Sequence, residues 1–483
     1  MRLSTVWEKI FPFFGKIFFA CFVRNFALVL QTVCMEEKGR TQNKRNSFLT
    51  GAAMIATGGL IAKLVGALYR IPLLSLIGGR GIGLYQLVYP VYCILLTVSA
   101  TGIPSSIAKL VAERVEKGKS PQGVLRSALR LFALVGLAGT AIMVLFAPLL
   151  SRAQGSEEVR AGYYTLAPSV LLVSALSVFR GYFQGTNRMF PTALSEIVEQ
   201  VVKVGFGLFF AYLYRDNLRV AVTLLLLAVT LSEAVALFLI FCQYRRDRSR
   251  KEYADDGGMY ATKSILRLSI PVTFSSILLP LSSLIDSVLV VRLMGKYASD
   301  AVTLYGLFAG GAVTVINLPV SVCYGIAAAS IPAVAAAKAK TGDMTDRVRR
   351  ASVRRRWLYS LIVTVAIAAP SAIGLYFFAQ PAAKLIFRNL RGEELKILVE
   401  LVKIFSVSAL TLSCVQTLSA CLTAQGKPKY AAISMGVGII VKTVVYCVLL
   451  QNPKISVFGL AHATNLCYLV AFLLDLLYNF RVK

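Results

Sequence analysis

The sequence has almost none of the residues that build metal centres and redox sites. It contains one histidine, His462, so a histidine-rich metal site is excluded. Its nine cysteines are scattered without a CxxC pair, which indicates neither a zinc site nor a disulfide framework. No GxxxxGK motif followed by Ser or Thr occurs, so a P-loop for ATP is excluded as well. We therefore predict no metal and no bound cofactor.

Acidic residues are also scarce, with 23 Asp and Glu against 52 Lys and Arg and a formal net charge of +29. In a soluble protein this imbalance would indicate nucleic-acid binding. Here, however, 57% of the residues are hydrophobic, and they form blocks close to the roughly 20 residues that cross a bilayer as a helix. Such blocks are longer than the strands of a membrane barrel. We therefore predict an all-α integral membrane protein that binds no nucleic acid.

Twelve membrane spans are predicted, separated by short charged loops. They are 50–70, 83–104, 124–150, 161–180, 191–213, 220–243, 264–291, 301–327, 357–379, 397–424, 430–450 and 456–480. The loops after even-numbered spans, with the two flanking segments, hold 28 Lys and Arg, and the loops after odd-numbered spans hold 13. Because basic residues collect in cytoplasmic loops, both ends of this core are predicted to face the cytoplasm.

The polar stretch 244–263 divides the spans into two halves, and we interpret it as a cytoplasmic basic linker. It separates an N-terminal lobe, 47–243, from a C-terminal lobe, 264–483, with six spans each. Residues 1–46 form an N-terminal extension whose apolar part is interrupted by basic residues. One interpretation is that the apolar part forms a surface helix or an extra span. The other, which we favour, is that the chain starts at Met35, so that residues 1–34 are not translated and a basic cytoplasmic leader precedes the first span.

The two halves carry similar motifs in the same order. Leu76–Tyr85 reads LIGGRGIGLY and Leu293–Tyr305 reads LMGKYASDAVTLY, each between the first two spans of its half. Gln184–Arg188 and Gln425–Lys429 then link the fourth and fifth spans of each half. A repeat of six spans predicts a pseudo-twofold axis along the membrane normal and a substrate site between the lobes. The alternative is that the shared residues reflect turn chemistry alone.

Several short motifs resemble the sporulation stage V protein B group, polysaccharide-biosynthesis members of the MOP superfamily. They are Tyr69–Ile71, Gly83–Leu87, Gly102–Pro104 and Phe179–Gly185. The superfamily also holds the MATE drug exporters, the O-antigen-type flippases and the lipid II flippase. The resemblance implies two six-helix bundles around a central cavity in a bacterial cytoplasmic membrane. It implies a flippase for an undecaprenyl-linked saccharide, such as lipid II, with no chemistry on the substrate.

Two basic residues of the first span, Lys63 and Arg70, are candidates for substrate binding. Seven residues apart, they lie on nearly one helix face and would form a basic stripe suited to a pyrophosphate. The lipid II flippase has a similar basic pair, but here Lys replaces the first Arg and the second is one place later. The alternative is that Lys63 extends to the interface and that Arg70 anchors the outer end of the span.

The fifth predicted span carries Glu196, Glu199 and Lys203 on one face, with Glu199 and Lys203 at pairing distance. Three charges on one face of a membrane helix should point away from lipid. One interpretation is a cavity-lining group that binds the substrate or couples a proton. The other is a structural ion pair that holds this helix to a neighbour, with Arg180 as a candidate partner. We keep Arg180 with the substrate-binding candidates.

Glu233 and Asp286 are isolated acids deep in their spans, and either is a candidate for binding a cation or a proton. Lys442 either neutralises an acid or holds phosphate. The cluster Arg354–Arg356 most simply fixes topology and holds anionic lipid head groups. The source of energy stays open between a cation gradient and the membrane potential, and we expect a monomer.

Two other functions compete with the flippase. A MATE-like multidrug or cation antiporter would need a cavity dominated by its acids, whereas a basic cavity favours the flippase. A membrane enzyme that ligates or polymerises glycans would need a positioned acid and base. The acidic pairs of the outer loops are only Glu157 with Glu158 and Glu393 with Glu394. Adjacent acids splay apart on a helix, so no catalytic residue is predicted.

Overall fold

The structure is a computed structural model that describes the backbone of residues 44–481 except 101, 249–264, 267–272, 274–275, 340–345 and 388–389. The chain divides into two units, 1–55 and 56–483. Side chains are described from Val65 onward, with gaps. The predicted extension up to Asn43, most of the linker 244–263 and the side chain of Lys63 therefore lie outside the described residues.

All regular structure in the described part of the chain is helical. The helices are α1 Lys44–Ala100, α2 Ile103–Glu116, α3 Gln122–Ala153, α4 Arg160–Gly185, α5 Phe190–Leu213, α6 Leu218–Arg248, α7 Leu278–Met294, α8 Ala301–Gly306, α9 Val313–Ala339, α10 Asp346–Phe377, α11 Ala379–Ile386, α12 Gly392–Ala424, α13 Pro428–Leu449 and α14 Phe458–Arg481. A 3-10 turn, Glu157–Val159, precedes α4, and a π-helical segment, Leu307–Ala312, joins α8 to α9.

The distribution of side chains is that of a membrane protein. Large apolar residues point outward, and Leu145, Phe238 and Phe377 are 74%, 70% and 72% exposed. Charged residues such as Glu233 and Lys442 are buried instead, at 3% and 4% exposure. Hydrocarbon, and not water, matches such a surface. The predicted all-α integral membrane fold is confirmed.

Nine helices within the described residues are long and apolar enough to cross a membrane. The predicted span 191–213 is helical as α5, but its three charged residues lower its hydropathy. The predicted span 264–291 is represented by α7, which has 17 residues, after a stretch that is mostly outside the described chain. The predicted total of twelve spans stays a prediction.

The described helices pack mainly within two groups. Helices α2 to α6 contact one another, and helices α7 to α14 contact one another. This grouping is consistent with one bundle before the linker and one after it. The lobe boundaries 47–243 and 264–483 stay predictions, because residues 56–483 form a single compact unit.

Helix α1 is interrupted at Gly78, whose φ of 67° lies in the left-handed region that glycine adopts without strain. The segment after this break packs directly on α8. A Cβ atom on Gly83 would collide with the carbonyl of Val302, and one on Gly306 would collide with the carbonyl of Gly79. The matching motifs of the two halves, 76–85 and 293–305, therefore lie against each other with backbones in contact.

Candidate functional site

Two cavities border the α1 segment around Arg70 and Tyr89, and both residues line both cavities. The first, here called the Lys203 cavity, has a volume of about 360 Å³ and is lined by Gly66, Tyr69, Arg70, Tyr85, Tyr89, Gln200, Lys203, Thr314, Asn317 and Ser321. The second, here called the Lys442 cavity, has a volume of about 330 Å³ and extends to α7, α12, α13 and α14. Both are of the size in which proteins bind small molecules or parts of larger ones.

The Lys203 cavity is electropositive. Arg70 of α1 and Lys203 of α5 both line it, and its described lining includes no carboxylate. Neither cation forms an ion pair within the described part of the chain. Arginine and lysine offer this kind of charge-assisted hydrogen bond to phosphate oxygens. The predicted binding residues Arg70 and Lys203 are thus brought together from separate helices.

Tyrosine side chains form one wall of this cavity. The rings of Tyr85 and Tyr89 stack with a centroid distance of 5.1 Å and an interplanar angle of 21°. Tyr69 completes the set, and Gln200 and Asn317 add amide groups. Flat rings with hydroxyl and amide groups around them match a ligand that carries both apolar faces and hydroxyls.

The Lys442 cavity contains a buried ion pair. The Nζ atom of Lys442 on α13 lies 2.8 Å from Oδ2 of Asp286 on α7, and it also donates to the hydroxyl of Ser282. The ammonium group lies 5.3 Å from the ring centroid of Tyr446. The expectation that Asp286 is isolated is wrong, because docking of α13 against α7 places a lysine on it. Lys442 takes the first of its two predicted roles and neutralises an acid.

Arg180 and the acids of α5 form a second buried ion pair. Nη2 of Arg180 lies 3.0 Å from Oε2 of Glu199, and Nε of Arg180 donates to the hydroxyl of Ser195 at 2.9 Å. Glu196 is near enough to interact electrostatically with Arg180. Glu199 therefore pairs across α4 and α5 and not with Lys203 on its own helix. This matches the structural interpretation of these charges and leaves Lys203 to its cavity.

Glu233 of α6 lies close to this ion pair. It is 3% exposed, and its Oε1 atom accepts a hydrogen bond from the hydroxyl of Tyr92 at 3.1 Å. Its Oε2 atom is buried and has no hydrogen-bond partner among the described residues. Glu199, Arg180 and Lys203 all act on it electrostatically. Both predicted ion-coupling residues, Glu233 and Asp286, have one oxygen without a hydrogen-bond partner among the described residues. They differ because Asp286 is paired with Lys442, whereas Glu233 has no directly paired cation in the described part of the chain.

Polar contacts of Arg80 and Gln86 join the two helix groups and are here called the Arg80 closure, and Gln86 also lines the Lys442 cavity. Arg80 of α1 lies 2.8 Å from Glu158 and 3.2 Å from Asp300. The side chain of Gln86 donates to the carbonyl of Ala309, in the π-helical segment, at 3.0 Å. A π segment releases backbone carbonyls from the α-helical pattern, and Gln86 satisfies one of them.

Asp300 lies before α8, outside the candidate spans. Partial burial raises the pKa of Asp300, but hydrogen bonds from Thr303 and the charge of Arg80 outweigh burial, so the pKa lies below its usual value. The carboxylate is therefore ionised over the physiological range, and its bond with Arg80 is present whenever the closure is formed.

Sequence reasoning missed the aromatic and amide residues of the site. Tyr85, Tyr89 and Tyr92 occur at a spacing of four and three, which places them on one face of α1. That periodicity was available in the sequence and would have indicated a polar aromatic stripe. Gln86 belongs to the Gly83–Leu87 motif, and its hydrogen bond to the carbonyl of Ala309 gives this position of the motif a structural role.

Comparison with known proteins identifies the family of this chain. The family described as "Polysaccharide biosynthesis protein" matches residues 48–338, more than half of the chain. The chain belongs to this family. This confirms the resemblance derived from the motifs.

Two curated relatives are distant but cover most of the chain. Stage V sporulation protein B of Bacillus subtilis is 25% identical over 87% of this chain and 81% of its own length. The lipid II flippase MurJ of the same organism is 22% identical over 90% of this chain and 82% of its own length.

The fold of this chain is similar to that of a solved structure of another protein. It is a multidrug resistance MATE family transporter of the MOP superfamily in an inward-facing conformation, with a TM-score of 0.73, 16% identity, and coverage of 87% of this chain and 94% of that one. The fold is thus MATE-like.

Proposed function

We propose that the protein is a flippase that moves an undecaprenyl-linked oligosaccharide or a peptidoglycan precursor, such as lipid II, across the bacterial cytoplasmic membrane by alternating access. The observation that carries this proposal is the Lys203 cavity, where Arg70 and Lys203 face a space without a described carboxylate. A lipid-linked saccharide carries a diphosphate between its lipid and its sugar. Two cations beside tyrosine and amide groups suit that junction.

The mechanism follows from the division of the substrate into a polar head and an apolar tail. The head enters the polar cavities, the diphosphate binds Arg70 and Lys203, and the tail stays in the bilayer. Opening of the Arg80 closure and closing of the opposite end would then expose the head on the other side. In a two-lobe fold this motion is a rocking of one lobe against the other.

The orientation comes from the charge of the loops. The basic loops place both core termini in the cytoplasm, which puts the Arg80 closure at the outer face. The cavities are then available from the inner leaflet, where such precursors are made. Exposed arginines at 354–356 at the inner end of α10 suit anionic lipid head groups. We expect a monomer, since the cavities are formed within one chain.

The drug antiporter is the second candidate, favoured by the open oxygen of Glu233. However, Asp286 and Glu199 are neutralised by Lys442 and Arg180, so the acids do not dominate the cavities. Catalysis is less well supported. Glu157 and Glu158 form ion pairs with arginines, so they are engaged in structure and not poised as an acid and a base.

The test is complementation in cells depleted of their lipid II flippase, with lipid II in the outer leaflet as the readout. We expect the chain to restore outer lipid II, and Arg70→Gln and Lys203→Gln to weaken the restoration. A hydrogen bond to a charged group contributes about 1.5–3 kcal/mol, so each variant should lose roughly tenfold or more in apparent affinity. Arg219→Gln, at an exposed position in the first turn of α6, is the matched control and should behave like the parent.

Three results would contradict the proposal. The first is normal activity of both cavity variants. The second is protein present in the membrane that restores neither lipid II nor any other undecaprenyl-linked glycan to the outer leaflet. The third is efflux of cationic dyes that depends on Glu233, which would move the protein to the antiporters.

A further inference from the structure

Helix α14 contains a buried carboxylate that belongs to neither cavity. Asp475 is 0% exposed and lies where α14 packs on α12 and α13. From the sequence alone, no role is predicted for Asp475. In the structure it lies inside the helix group, on the same face as Asn479 one turn later.

One oxygen of Asp475 is satisfied and the other is not. Oδ2 accepts a hydrogen bond from the hydroxyl of Ser419 on α12 at 2.6 Å, and the hydroxyl of Ser434 on α13, which donates to the carbonyl of Tyr430, lies near the carboxyl group. Oδ1 is buried without a hydrogen-bond partner in the described part of the chain. A buried polar atom with no partner is rare in native structures and indicates a missing ligand or a special role.

Among the described residues, none near Asp475 carries a charge that would balance it. From α12 it meets Ser419 and from α13 it meets Ser434, and no charged side chain among the described residues acts on it. Asp286 differs, since Lys442 pairs with it at 2.8 Å. An ionised carboxylate without a partner at the centre of a membrane helix costs about 2.5–3.5 kcal/mol, and burial among α12, α13 and α14 imposes a cost of the same kind on Asp475. A bound positive species removes that cost.

A proton fits this site better than a metal ion. Hard cations take about six or more oxygen ligands, whereas the described contacts supply two hydroxyls and one open carboxylate oxygen. The described residues also contain no group of three or more histidines, cysteines and acids. A proton needs only Oδ1. Neutralisation by protonation is the usual outcome for an isolated buried carboxylate.

A polar file connects Asp475 with the end of α12. Gln425, at that end, donates through Nε2 to Oδ1 of Asn479 at 2.9 Å. Asn479 in turn donates through Nδ2 to the backbone carbonyl of Asp475 at 2.9 Å. These hydrogen bonds run along one turn of α14, from the end of α12 to the backbone of Asp475. The loop itself is predicted to be cytoplasmic.

We propose that Asp475 binds and releases a proton, and that it is a coupling site in the C-terminal helices, reached from the 425–429 loop. The site is separate from Lys442 and Asp286 and does not touch the substrate. Loss of the proton leaves a charge among α12, α13 and α14, which changes how these helices pack. Only the coupling role rests on the proposed transport function, and the binding of the proton does not.

Infrared spectroscopy of the purified full-length protein tests the protonation directly. A protonated carboxylic acid has a carbonyl stretching band that a carboxylate lacks. We expect this band in the parent at neutral pH, with contributions from Asp475 and from the buried Glu233, and a loss of the Asp475 contribution in Asp475→Asn. The control Asp216→Asn, at an acid whose side chain is 93% exposed, should leave the band unchanged. A band that is unchanged in Asp475→Asn would overturn the proposal.

Two further measurements keep the test decisive. Ser419→Ala removes the hydrogen bond to Oδ2 but keeps the acid, so the carbonyl band of Asp475 should shift and not vanish. An unshifted band would contradict the proposal. This test remains available even if Asp475→Asn fails to fold. Sodium should stabilise the parent against unfolding no more than it stabilises Asp475→Asn. A sodium effect that is larger in the parent would mean that a metal ion, and not a proton, occupies the site.

Discussion

Removing one member of the Lys442–Asp286 pair should destabilise the protein far more than removing both. Lys442→Met keeps the length and the apolar part of the side chain but leaves Asp286 without its cation. Asp286→Asn keeps the shape of the acid but leaves the ammonium group unbalanced. Both groups are nearly buried, with side-chain exposures of 5% for Lys442 and 14% for Asp286, so water cannot replace the missing partner.

The magnitude follows from the burial of the pair. Breaking a buried ion pair from one side costs about 3–5 kcal/mol, whereas replacing both charges is close to neutral or stabilising by about 1–4 kcal/mol. Each single variant should therefore lose about 3 kcal/mol or more. The double variant should lie near the parent, which requires a coupling energy as large as the single effects.

The assay is equilibrium or thermal unfolding of the four proteins in one detergent, read as a double-mutant cycle. Lys384→Met, at an exposed lysine of α11, is the matched control for loss of a positive charge and should change little. Additive effects of the two single changes would refute the reasoning, because they would mean that Lys442 and Asp286 do not depend on each other.

Two further predictions concern the Arg80 closure. Arg80→Gln should favour the open closure by only about 1 kcal/mol, because the pairs are exposed and screened by salt. The readout is labelling, by a water-soluble reagent, of a cysteine at Ile82, which is 1% exposed in the closed structure. Acid should act similarly, but only below the lowered pKa of Asp300, where its carboxylate is lost. Gly306→Val should prevent closure, because its side chain would collide with the carbonyl of Gly79, and labelling of the same cysteine should rise. The control Gly325→Val has open space around its Cβ atom and should leave the labelling unchanged. Equal labelling in the two variants would contradict the packing argument.

Hydropathy predicted the helices well because the bilayer imposes length and apolarity on each segment. The predicted spans 124–150 and 220–243 lie inside α3 and α6, and 430–450 nearly coincides with α13. The predicted span 301–327 is also helical, but it includes the π segment Leu307–Ala312. A change of hydrogen-bond register leaves hydrophobicity unaltered, so hydropathy could not have indicated it.

The pairing of charges was harder to predict than their positions. Lys442 and Asp286 are far apart in sequence, and only the docking of α13 on α7 brings them together. The Arg180–Glu199 pair was among the alternatives because consecutive helices pack on each other most often. Asp475 was missed because its meaning depends on the absence of a partner, which sequence alone does not reveal.

The charges of the site separate into two classes, and this separation bears on the substrate. Glu199 and Asp286 are neutralised within the protein, by Arg180 and Lys442, so these pairs need no ligand. Arg70 and Lys203 form no ion pair with any described residue, although both line a cavity between membrane helices. Charge-assisted hydrogen bonds to an anionic ligand are stronger than neutral ones. Such a ligand therefore gains affinity at both residues that a neutral or cationic ligand cannot gain. The same argument makes a cationic drug a poor ligand for this cavity and a diphosphate a good one.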